Sequence, residues 1–122
     1  MLTLDELKEK KEILNKIDWA LTPQEAFEAY QIKSRDGYKY RSLPEVYYFY
    51  ISVWQGVIEV LLVKRLLKES EVIAKVAVPS HLLKACLAKQ GGLRPPTGQY
   101  AIDEAIKTWL KDKLGVQKSY SH

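Results

Sequence analysis

Val46-Tyr47-Tyr48-Phe49-Tyr50-Ile51-Ser52-Val53-Trp54, then Gln55-Gly56, then Val57-Ile58-Glu59-Val60-Leu61-Leu62-Val63-Lys64-Arg65: the reading of this stretch decides the fold. The first and last segments are rich in β-branched and aromatic residues, which suit a pleated and partly buried backbone. Gln55-Gly56 supplies the two-residue connection of a tight hairpin. Apolar residues occupy both faces of each strand, so the hairpin is expected to be covered on both sides. A membrane span is the competing reading of residues 46–63. Ser52, Gln55, Gly56 and Glu59 interrupt that run, three tyrosines crowd one half of it, and a carboxylate at bilayer depth costs about 2.5–3.5 kcal/mol. A hairpin carries the same residues without that cost, and no membrane association is expected.

Downstream, Lys68-Glu69-Ser70 reads as a turn, and residues 72–78 alternate in the manner of a third strand, with a helix opening at Ser70 as the alternative. Upstream, Thr3 and Glu6 have the spacing of a capping box, and Leu4, Leu7, Ile13, Leu14 and Ile17 line one face of a single helix. Thr22-Pro23-Gln24-Glu25 starts a second. Residues 33–43 form a polar loop with a turn at Asp36-Gly37, and Pro44 ends it. In the last third, Ser80 caps a helix running through Gln90, with Leu82, Leu83, Cys86 and Leu87 inward and Gly91-Gly92 stopping it. Pro95-Pro96 stiffens the next loop. Ile102, Ala105, Ile106, Trp109 and Leu110 then mark a final amphipathic helix. The expected class is α+β: two N-terminal helices, a short antiparallel β-meander of two to three strands, and two C-terminal helices.

The chain has 122 residues, which suits one domain: residues 1–114 as a compact unit and 115–122 as a flexible tail. Hydrophobic residues make up 47% and charged residues 28%, ordinary values for a soluble globule, which excludes disordered and fibrous classes. A single cysteine excludes a disulfide framework. The net charge of +4 permits a nucleic-acid partner without requiring one. Residues 1–9 carry both signs of charge and lack the apolar core of a secretory signal, so a cytoplasmic location is expected.

Signs of catalysis are sparse. His81 and His122 are the two histidines, and His81 falls in the first turn of a helix, where it reads as a solvated or capping residue. Cys86 sits on an apolar face and reads as an inert thiol. There is no phosphate loop, metal-ligand spacing or nucleophile elbow, so no catalytic residue, metal or cofactor is expected. Glu59 is the acid out of place, set among Val57, Ile58, Val60 and Leu61. It is either the acid of a pocket lined by Tyr48, Tyr50 and Trp54, or a half-exposed strand residue paired with a tyrosine or a lysine. In residues 33–41, Lys33, Arg35, Lys39 and Arg41 interleave with Tyr38 and Tyr40. That mixture suits contact with phosphates and bases, and equally a solvated loop whose tyrosines cover the hairpin.

Two resemblances add to this reading. Val76-Ala77-Val78-Pro79, followed by a helix with Leu82 and Leu83, a glycine break and a helix with Ala105-Ile106 and Trp109-Leu110, resembles a ribbon-helix-helix DNA-binding unit spanning residues 72–114. In that family the strand pairs with its twin in a dimer and reads the major groove. The resemblance implies Ile73, Lys75 and Ala77 as readers, with the start of the last helix near Thr97-Gly98 against phosphate. The segment Asp18-Trp19-Ala20-Leu21-Thr22-Pro23-Gln24-Glu25-Ala26, with Tyr47-Tyr48-Phe49, Val78-Pro79 and Trp109-Leu110, is also similar to a family of small proteins of anaerobic bacteria with no assigned activity. The expectation for function is a non-catalytic domain that binds another protein, with a homodimer as one form of that binding. A DNA-binding regulator is the alternative, with Lys33, Arg35, Tyr38, Lys39, Tyr40, Arg41 and Lys75 as contacts for either partner.

Overall fold

The structure, a computed structural model, describes residues 1–27, 45–66, 69–90 and 98–116. Among them are five helices and four strands. In chain order these are α1 (Leu4–Lys8), α2 (Lys11–Leu14), α3 (Pro23–Phe27), β1 (Val46–Trp54), β2 (Val57–Arg65), β3 (Ser70–Val76), α4 (Ser80–Lys89), β4 (Gln99–Tyr100) and α5 (Glu104–Leu114). The strands form one antiparallel sheet in the order β3-β2-β1-β4. This α+β architecture overturns the expected layout of two helices, a two- to three-stranded meander and two helices. A fourth strand is set between the last two helices, and the N-terminal region is broken into three short ones.

The hairpin is the centre of the molecule. β1 and β2 pair along their whole length, from Trp54 opposite Val57 to Val46 opposite Arg65. Gln55 and Gly56 both take positive φ, 48° and 80°, the backbone that matches the twist of paired strands. A register shift at Leu62/Val63 lets β3 follow β2, and β3 begins two residues earlier than the alternation suggests. Two short pairings blunt the sheet's edges. Leu2 donates to Ile73 O at 2.8 Å and accepts from Lys75 N at 3.0 Å, so the N-terminal segment runs alongside β3. On the other edge, β4 pairs with Ile51 and Ser52, and Asp18 N donates to Tyr47 O at 2.8 Å.

Strand alternation then sorts the side chains. Tyr47, Phe49, Ile51, Val60, Leu62, Ala74 and Val76 face one side and pack with Leu7, Leu14, Leu83, Cys86, Ile106, Leu110 and Leu114 from the helices. Val46, Tyr48, Tyr50 and Val63 face the other, where Ala26 of α3 and Leu21 join them. On the first face Trp19 stacks obliquely on Phe49 with ring centroids 5.4 Å apart, and the Lys111 ammonium lies 5.3 Å from the Trp19 ring.

The expected single N-terminal helix is two helices. The capping box at its start forms: Thr3 Oγ1 accepts from Glu6 N at 3.3 Å and Glu6 Oε1 accepts from Thr3 N at 3.0 Å. The helix stops at Lys8 because the charged run from Lys8 to Glu12 offers nothing to bury. In one continuous helix Ile13 and Ile17 would also sit about a third of a turn away from Leu4 and Leu7. Breaking at Lys10 lets Leu7, Leu14 and Ile17 all reach the core. The second box forms as the spacing requires, with Glu25 N donating to Thr22 Oγ1 at 3.2 Å and Thr22 N to Glu25 Oε1 at 3.0 Å.

The expected Ser80 cap is not made. Pro79 takes the cap position with no side-chain bond, its carbonyl receives Leu82 N and Leu83 N, and Ser80 is the first helical residue. Asp103 caps α5 by accepting from Ile106 N at 3.0 Å, and Gly115 closes it in the left-handed conformation at φ 70°. Gln90 Nε2 donates to Ala101 O at 3.1 Å and Lys89 pairs with Asp103 at 3.2 Å, tying α4 to the entry of α5. No described helix is long and apolar enough to cross a membrane.

Candidate functional site: the hairpin tip and its groove

The hairpin outruns its neighbours. On one side β3 pairs with β2 from Arg65 only as far as Val60. On the other β4 pairs with β1 only at Ile51 and Ser52. Val53, Trp54 and Val57 to Glu59 therefore project past the adjacent strands. Trp54 is 72% exposed, Val57 54% and Ile58 37%; with Met1, they are the exposed large apolar residues among those described. Trp54 and Val57 are direct cross-strand partners, so their side chains sit together on one face as an apolar knob.

Beside the knob lies an apolar groove of about 850 Å³. Its walls include Leu2 and Leu4 from the N-terminal segment, Val57 and Ile58 from the hairpin, and Val78 and Leu83 from the entry to α4. Val57 belongs to both features. The few charged groups at the groove are of both signs: Asp5 and Lys84, and Glu59 in an ion pair with Lys75.

That ion pair places the two sequence-flagged residues in the described part of the chain. Glu59 lies on β2 opposite Ser52, its side chain 28% exposed, and pairs with Lys75 of the neighbouring strand. Tyr48, Tyr50 and Trp54 share its face of the hairpin. Tyr48 is wholly buried, Tyr50 nearly so, and Trp54 points to solvent. Burial pushes the hydroxyls of both tyrosines above their usual pKa. Arg65 opposes the shift at Tyr48, and the negative charge of Glu59 adds slightly to it at Tyr50. Lys33, Arg35, Tyr38, Lys39, Tyr40 and Arg41 lie outside the described residues.

Of the remaining flagged groups, His81 is exposed in the first turn of α4. Cys86 is buried, with its thiol directed at Ala101 O, and burial pushes its pKa up, with Asp103 nearby in the same direction. Such a thiol is a poor nucleophile. Among the described residues no group of three or more His, Cys, Asp or Glu side chains could hold a metal ion. The strand that a ribbon-helix-helix reading would offer to a twin is engaged within its own chain, by β2 on one edge and Leu2 on the other.

Sequence reasoning placed Trp54, Val57 and Ile58 correctly in strands but missed their exposure. A signal was available: apolar residues immediately flanking a two-residue turn stand at the end of a ribbon, where neighbouring strands need not reach. Comparison with protein-family models, curated proteins and solved structures finds no match, so the functional reading rests on the geometry described above.

Proposed function

We propose that this protein is a non-catalytic docking domain that binds another protein through the tip of its central hairpin. One observation carries the reading: exposed Trp54, Val57 and Ile58 project beyond the neighbouring strands, and Val57 and Ile58 line an open apolar groove. Contiguous exposed apolar surface is uncommon on a monomer and marks sites where it becomes covered. Tryptophan is among the residues most enriched at the energetic centres of protein interfaces, because it brings a large rigid area at little entropic cost. The groove beside it is of the size that receives side chains of a partner. The charged side chains at the groove, Asp5, Glu59, Lys75 and Lys84, are of both signs, which suits a protein surface better than the uniform anionic field of a nucleic-acid backbone.

Peptides selected from a random display library on the chain immobilised at low density, with the Trp54→Asp variant for counter-selection, test this reading. The expected result is enrichment of peptides with aromatic and aliphatic anchors that bind the wild type and not the variant. No enrichment, or equal binding to the variant, would count against it. Trp54 is largely exposed, so the circular-dichroism melt of the variant should match that of the wild type.

A further inference from the structure

We draw no further inference here: the strongest candidate, the apolar groove between the N-terminal segment, the β2 side of the hairpin tip and the entry to α4, belongs to the docking face already described, and nothing in the structure shows what covers it.

Discussion

Trp54 and Leu62 are two apolar residues of the same hairpin with opposite circumstances, one 72% exposed and the other fully buried. Leu62→Ala leaves a cavity between the sheet and the helices and should cost about 2–5 kcal/mol, read as a lower urea midpoint at unchanged slope. Trp54→Ala loses one cross-strand contact and should cost under about 1 kcal/mol while removing the docking contact. Both are apolar strand residues by type; in the sequence only the place of Trp54 beside the Gln55-Gly56 turn sets it apart. Cys86 follows the same logic. Its elevated pKa and burial predict that iodoacetamide modifies it slowly in the native protein and rapidly in urea, as followed by mass spectrometry.

Glu45 makes a pH prediction of definite sign. It accepts from Lys16 at 3.2 Å and pairs with Lys64 at 3.3 Å, and these lysines, Lys16 first, hold its pKa below the usual 4.5 against the opposing effect of burial. The unfolded chain therefore takes up the proton at higher pH than the folded one. The stabilisation is complete above the unfolded value and is lost as the pH falls through the folded one. In Glu45→Gln the melting temperature should fall less between neutral pH and the acid side of 4.5 than it does in the wild type.

At the scale of elements, local chemistry dictates some boundaries and not others. The limits of β1 and β2 were legible because a β-rich composition meets a two-residue turn and no competing helix signal intervenes. Gly56 at φ 80° sits where a side chain is strained, so Gly56→Ala should destabilise by about 1 kcal/mol or more despite having open space around it. Gln55, also at positive φ, should be improved by Gln55→Asn, because asparagine tolerates that region better. Equilibrium denaturation of both variants tests the turn.

The helix caps show the limits of spacing rules. Both threonine boxes form as their sequence requires. Ser80, by contrast, loses the cap to Pro79, and the Asp103 cap went unremarked because the apolar periodicity before it begins at Ile102, outside the helix. Asp103→Ala should cost about 0.5–2 kcal/mol, since it frees the Ile106 donor. The two-residue β4 carries too few side chains to leave any periodic signal; its pairing with Ile51 and Ser52 exists because the chain between α4 and α5 is brought against β1.

For the whole molecule, the consequence of the topology is that the sheet's edges are guarded and its end is not. Leu2 occupies the outer edge of β3 through two backbone hydrogen bonds, one of which it donates. Leu2→Pro removes that donor and should expose the β3 edge. The expected outcome is faster hydrogen exchange at Lys75, whose amide bonds to Leu2 O, together with a greater tendency to aggregate on warming, followed by light scattering. A variant with unchanged exchange at Lys75 would show that the N-terminal pairing contributes nothing to guarding the edge.

Composition and alternation by themselves determined that this chain builds a two-sided β-hairpin between helical regions, where that hairpin turns, and which side chains share a face. These follow from local backbone preference and the period of two. Only the tertiary structure decided that the first helix breaks, that a fourth strand closes the sheet, and that Glu59 is answered by Lys75 from a neighbouring strand. It alone also set the tip of the hairpin beyond the reach of β3 and β4. Each of these depends on how far one segment extends alongside another, a distance in space that no residue encodes on its own.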